Sequence, residues 1–256
     1  MDSKIVMGLG LIIVVLVAVG AYYYGVSTSS NIEYVTVTST ATETITITST
    51  ITETLASVSG ELSAIEVEAI KYMAEEEKLA YDVYTRLAEM YPDVPVFANI
   101  AKSEATHVSA VLALADKYGI EVTLREPGVF DNEHIQELYN QLIEKGSQSL
   151  KDALEVGATI EEVDIVDLKD WVSKVSHDDI KQVFECLMMG SRNHLRAFTG
   201  TLKNLYGVEY TPQYISEEEY QQIISTPMEI GGACRDLGID VGANITAPQG
   251  PVNRPW

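Results

Sequence analysis

Four helical heptad patterns constrain this chain more than any other feature, because each places acids or a histidine on the stripe that a helix must bury. The first reads Ile70, Met73, Glu77, Ala80, Tyr84, Leu87, and the second Phe97, Ile100, Glu104, His107, Val111, Leu114, Tyr118. The third reads Leu154, Gly157, Glu161, Asp164, Leu168, Trp171, and the fourth Ile180, Phe184, Leu187, Ser191, His194, Phe198. Residues three and four apart share a helix face, so Glu77, Glu104, His107, Glu161, Asp164 and His194 all turn toward one core. Burying such groups without compensation costs several kcal/mol per ion. A bound cation, or strongly raised carboxyl pKa values, must neutralise them. The pattern predicts an all-α bundle with a metal site in its interior.

The segments flanking the bundle differ from it in composition. Residues 5–24 carry no charge, and about 20 apolar residues match the hydrocarbon thickness of a bilayer. Lys4 precedes this run and Glu33 is the first charge after it, which keeps the amino terminus inside and the rest of the chain outside. Tyr22, Tyr23 and Tyr24 sit where an outer aromatic belt belongs. Residues 1–26 are therefore expected to be a single-pass anchor in the cell membrane; the alternative is a signal cleaved after Ala21, releasing a secreted protein. Residues 27–60, with Val35-Thr36-Val37-Thr38 and Ile45-Thr46-Ile47-Thr48, read as a Ser/Thr-rich stalk. The balance of 38 acids against 17 bases, with no basic stripe, argues against nucleic acid as a partner.

The folded domain is expected over 61–226. A first helix over 62–91 stops before Pro92, and Pro95 opens a second over 96–118 that Gly119 ends. Residues 120–148 form a long connection with a smaller helix at 132–145. A third long helix covers 149–173, and Ser176 with Asp179 suggests a capping box starting a fourth that ends near Gly207. A short helix follows at 216–225, and residues 227–256 read as an irregular tail with Asn244-Ile245-Thr246 as a glycosylation acceptor. Cys186 and Cys234 are the two cysteines; an outside location permits a disulfide between them, and their spacing forms no Cys-x-x-Cys metal knuckle. Glu75 and Glu76 fall off the stripe and are expected in solvent, as are His134 and His177. Glu162 adjoins Glu161 and replaces it as ligand if the helix is rotated; the heptad favours Glu161.

Glu77, then Glu104-Ala105-Thr106-His107, then Glu161 with Asp164, then His194 together resemble the ferritin-like di-iron carboxylate superfamily, most closely its rubrerythrin-type members. The surroundings Glu75-Glu76-Glu77-Lys78-Leu79-Ala80, Lys102-Ser103-Glu104 and Ser191-Arg192-Asn193-His194 look like an uncharacterised ferritin-like family of prokaryotes. The resemblance covers 62–225 and implies a four-helix bundle with one long crossover, built around two metal ions. It also implies a role for Tyr84, seven residues after Glu77. One departure matters: Ser191 stands where the second Glu-x-x-His would place its Glu, leaving Asp164 to substitute.

Carboxylate and imidazole ligands suit Fe or Mn. The resemblance then implies an oxidoreductase that reduces O2 or peroxide, or oxidises Fe(II) in the manner of a ferroxidase. Glu104 and Glu161 would bridge, Glu77 and His107 would complete one metal, and His194 with Asp164 the other, with Tyr84 orienting the oxidant or stabilising an oxidised state. The absence of a Cys-x-x-Cys electron carrier leaves turnover to an external electron donor, and nothing in the chain forbids an oligomer. The competing expectation, favoured by Ser191, is a surface binding or scaffolding protein with a structural or degenerate metal site.

Overall fold

The computed structural model describes residues 61–242. The expected span at 5–24, the stalk and the glycosylation acceptor lie outside them. Among the described residues there is no strand, and no helix is long and apolar enough to cross a membrane.

Each helix begins and ends where local chemistry allows. Ser63 caps α1 (Ala64–Met90) in a reciprocal box with Glu66. Pro95 occupies the first turn of α2 (Pro95–Lys117), where its missing N–H costs nothing. Asn132 caps α3 (Glu133–Gly146), and Ser149 caps α4 (Leu150–Lys174). Helix α5 (Asp178–Tyr206) ends at Gly207 in the left-handed conformation, Ser216 caps α6 (Glu217–Ser225), and a single turn, α7 (Gly232–Asp236), follows. The capping box expected from Ser176 and Asp179 does not form. His177 is the N-cap and makes no side-chain cap bond. Ser176 instead donates to Glu66 through its N–H and its hydroxyl, and Asp179 accepts from Tyr118 and Lys117.

These same contacts define the topology. The start of α1 (Glu66) meets the α4–α5 turn at Ser176 and His177, and the end of α2 (Tyr118) meets the start of α5 (Asp179). At the opposite end, Tyr91 beyond α1 donates to the Gly146 carbonyl just before α4. Helices α1 and α5 therefore run one way and α2 and α4 the other. Two antiparallel hairpins, α1–α2 and α4–α5, pack into a bundle, joined by a crossover that carries α3.

The crossover is stapled to the outer side of α1. Lys78, itself buried, donates to Asp82 (2.5 Å) and to the carbonyls of Glu126 and Val129, with its ammonium 4.2 Å from the Phe130 ring centroid. Glu75 accepts from the N–H groups of Asp131 and Asn132. This cover corrects the expectation that Glu76 is solvated: it is 4% exposed and faces a small gap lined by Leu79, Leu138, Leu142 and Ile160. Burial, then the neighbouring Asp164, Asp167 and Glu77, push its carboxyl well above the usual range. His177, expected in solvent, is half-buried and its ring bonds Glu66 at 2.7 Å.

Beyond α6 the chain folds back along α5. Arg192 and Arg196 both pair with Glu229, Asn193 donates to the carbonyls of Glu229 and Val241, and Cys186 on α5 is disulfide-bonded to Cys234 on α7.

Candidate metal centre

Inside the bundle the four stripes converge. Two groups of side chains each offer ligand atoms within 4.8 Å of one another: Glu77, Glu104 and His107, and Glu104, Glu161 and His194. All five residues are buried. Glu104 belongs to both groups because its two oxygens face opposite ways. Its Oε2 lies 2.8 Å from His107 Nδ1 and its Oε1 lies 2.8 Å from His194 Nδ1. Glu77 Oε2 is 3.1 Å from His107 Nδ1, and Glu161 Oε2 is 3.5 Å from His194 Nδ1. The two imidazoles stack, with centroids 5.5 Å apart. The i, i+3 spacing of Glu104 and His107 on one helix supplies the common face. Gly190 on α5 permits the approach of His107, whose ring atoms would lie 2.6–2.7 Å from a Cβ there.

The remaining expected residues divide. Asp164 belongs to neither group; one of its oxygens accepts a hydrogen bond from Ser191 Oγ, while Oδ1 is buried without a partner. Glu162 turns away, and its Oε2 accepts from the N–H groups of Gln213, Tyr214 and Ile215 at 2.8, 2.5 and 3.1 Å. Of the adjacent acids, Glu161 is the one in the cluster. Tyr84 donates from its hydroxyl to Glu161 Oε1 at 2.6 Å, and its ring packs on Phe198. Phe198 in turn fills the space that a Cβ on Gly157 would occupy.

Three polar groups enter that sequence reasoning did not assign. Ser103 Oγ lies 2.9 Å from His194 Nε2 and 2.5 Å from the backbone carbonyl of Asp240. The same carbonyl lies 3.1 Å from His107 Nε2. Thr106 Oγ1 accepts from the Asp240 N–H at 2.8 Å. Ser103 and Thr106 were legible as polar neighbours of Glu104. A backbone carbonyl more than 130 positions away carries no residue signature, and the Cys186/Cys234 pair was the one signal that the tail returns to α5.

Electrostatically the cluster is a set of acids and bases that cannot all keep their usual charges. Burial pushes Glu77 up to about 7 despite His107 beside it, and pushes Glu161 up to about 7 despite His194. Burial acts on Glu104 in the same sense, but His107 and His194 together outweigh it and hold Glu104 well below the carboxylate range. Burial lowers His194, and Glu104 and Glu161 overcome that to hold it at about 9.

The donor set fits a transition metal. Glu77 Oε1, Asp164 Oδ1 and His194 Nδ1 are buried and make no hydrogen bond, and such orphans require a partner. His194 Nδ1 lies 2.8 Å from Glu104 Oε1 without hydrogen-bond geometry, and on losing its proton to an incoming cation it would offer that cation a lone pair. Both cysteines are consumed in the disulfide, so the ligands are oxygen and imidazole nitrogen, without thiolate.

Known proteins match the chain over this same unit. A 172-residue alignment gives 52% identity with Uncharacterized protein MJ0754 of Methanocaldococcus jannaschii, covering 66% of this chain and 92% of that protein. The crystal structure of hypothetical protein MJ0754 from Methanococcus jannaschii DSM 2661 matches with a TM-score of 0.63 at 52% identity, covering 65% of this chain and 95% of that one. Residues 66–227, spanning the bundle from α1 to the end of α6, match the model described as Uncharacterized protein domain (DUF2202), and the chain belongs to that family.

Proposed function

We propose that this chain is a ferritin-like di-metal protein, an oxidoreductase that uses two Fe or Mn ions to reduce O2 or peroxide or to oxidise Fe(II). The observation that supports it is Glu104, reached from opposite sides by His107 and His194, with Glu77 and Glu161 beyond them. A carboxylate with two separately directed oxygens, each beside an imidazole nitrogen, is built to serve two cations at once. When bound, the metal pair would supply Lewis acidity and electrons.

The chain's own residues do the rest. Glu77 and Glu161 would hold the ions together with Glu104; since burial raises both carboxyls to about 7 in the metal-free centre, taking up an ion would displace protons, and the partnerless Glu77 Oε1 offers one ligand atom. Tyr84 orients Glu161 through its hydroxyl. The five clustered side chains are at most 2% exposed, so water is largely excluded and the substrate is a small molecule or an ion. With both cysteines locked in the disulfide, electrons come from an external donor or from Fe(II) itself. The apolar segment 5–24 would anchor the protein in the membrane with the bundle outside, where a disulfide is at home.

The test is elemental analysis of the purified protein, followed by anaerobic Fe(II) titration and exposure to O2 or peroxide. Two ions per chain and rapid loss of chelatable Fe(II) are expected. A protein that takes up no transition metal refutes the proposal. One redox-silent ion supports the second reading, a structural metal in a binding or scaffolding protein, which the engagement of Asp164 by Ser191 favours.

A further inference from the structure

Both imidazoles turn Nδ1 toward the carboxylates, and the reason lies outside the four helices. A carbonyl oxygen only accepts hydrogen bonds. His107 Nε2, at 3.1 Å from the Asp240 carbonyl, must therefore carry its proton. Ser103 Oγ has a single hydrogen, which it donates to the same carbonyl. Toward His194 Nε2, at 2.9 Å, it can only accept, so His194 Nε2 carries its proton as well. One backbone carbonyl thus fixes both rings, one directly and one through Ser103, and leaves both Nδ1 atoms to face the cluster.

The carbonyl is held from several directions. The Asp240 N–H donates to Thr106 Oγ1, its side chain accepts from the Gly242 N–H, and Asn193 Nδ2 donates to the next carbonyl, Val241, at 2.6 Å. Six residues earlier Cys234 is bonded to Cys186 on α5, two turns before His194. Ile239 and Val241 are buried. The carbonyl of Asp240 is therefore part of a covalently tethered strap, not the end of a loose tail.

We propose that this disulfide-tethered segment, residues 234–241, is a positioning element of the metal centre: the Asp240 carbonyl and Ser103 lock His107 and His194 as Nδ1 ligands, and the Cys186–Cys234 bond holds the lock in register. The inference rests on the di-metal reading. It adds that metal affinity depends on groups that touch no metal, and that reduction of the disulfide loosens the centre.

The experiment is a Co(II) titration of the full-length protein, following affinity and visible absorption, together with the melting temperature of the metal-free form. Ser103→Ala and the double variant Cys186→Ser/Cys234→Ser are each expected to weaken binding by about 10–100-fold, the usual effect of losing a hydrogen-bond partner behind a metal ligand, and to alter the absorption band. Ser103→Thr, which keeps the hydroxyl, is expected to restore both. Wild-type affinity and absorption in Ser103→Ala and in the cysteine variant overturn the positioning role, even if metal-free stability falls, since that pattern marks a merely structural strap. A wild-type protein that binds no Co(II), Fe(II) or Mn(II) sinks the di-metal reading first, and this inference with it.

Discussion

The two hairpins of the bundle are built alike but equipped differently. The α1–α2 hairpin contains a complete ligand group, Glu77 from one helix and Glu104 with His107 from the other. The α4–α5 hairpin supplies Glu161 and His194, and its group closes only by including Glu104 from the first hairpin. The position that would make it self-sufficient holds Ser191, whose hydroxyl engages Asp164. One half is autonomous, and the other depends on its neighbour. On the di-metal reading, ion binding in the second group would be coupled to the packing of the two hairpins, whereas the first group draws all its ligands from one hairpin, with the Asp240 carbonyl holding His107 from outside it.

Glu104→Ala should have the largest effect, because it removes the residue both groups share. Both ions are expected to be lost, with affinity falling by more than about 100-fold, beyond the range typical of losing an outer partner. The metal-free protein should lose about 3–5 kcal/mol as well, since His107 and His194 are left buried beside a missing counter-charge. Dialysis followed by elemental analysis, and denaturant melts of the apo form, check both effects. Retention of two ions would mean that the groups do not share a ligand.

Single-site variants break the comparison more selectively. Glu77→Ala is expected to leave about one ion per chain, bound by Glu104, Glu161 and His194; Glu161→Ala is expected to leave one bound by the first hairpin. If the first hairpin supplies all the ligands its ion needs, the ion that survives Glu161→Ala is the tighter of the two, with a clear difference in Kd by equilibrium titration. Equal residual affinities would erase the asymmetry between the hairpins.

How far the sequence discloses this arrangement follows the same division. A helical repeat reports which residues share a face, so the four long helices and the placement of Glu77, Glu104, His107, Glu161 and His194 on inward stripes were readable from spacing. It does not report what covers the other faces. Glu76 looked solvated because it lies off the heptad, yet Leu79 and Val83, also off the heptad and both buried, already signalled a second covered side on α1. Asp164 sits on the inward stripe but is engaged by Ser191, and spacing alone does not rank a ligand against a hydrogen-bond partner. The Asp240 carbonyl was invisible for a more basic reason: its chemistry belongs to every residue, and only the path of the chain makes it special.

A smaller effect separates the empty from the loaded centre by pH. Glu77 and Glu161 have folded pKa values of about 7 against a usual 4.5, and His194 about 9 against 6.5. Between these limits the folded metal-free protein binds more protons than the unfolded chain, so its stability falls as pH rises from 5 to 9. Metal ligation instead requires deprotonated groups and strengthens over the same interval. The gap in melting temperature between loaded and metal-free protein should widen with pH, and a constant gap from pH 6 to 9 would mean that no protons leave on binding. Glu66 shows the opposite sign at lower pH. Burial raises its pKa, but His177 and the N–H groups of Ser63, Ser176 and His177 outweigh that and hold it well below 4.5, so its contribution is present above that pH and is lost as acid is added.

Tyr84→Phe should produce the smallest change and the sharpest distinction. Tyr84 belongs to α1 of the autonomous hairpin, yet its hydroxyl donates to Glu161 of the dependent one at 2.6 Å, so the second group relies on its neighbour for a hydrogen bond as well as for Glu104. Phenylalanine keeps the ring that packs on Phe198 and removes only the donor. Losing a hydrogen bond to a buried carboxyl costs about 1–3 kcal/mol, and the loss should fall on one side of the centre. The ion held by Glu104, Glu161 and His194 is expected to weaken by about 10-fold, the effect of about 1.4 kcal/mol, while the ion at Glu77, Glu104 and His107 keeps its affinity. Titration of the Tyr84→Phe, Glu77→Ala and double variants separates the two ions, and equal weakening of both would show that the hydroxyl braces the whole bundle and not one ligand.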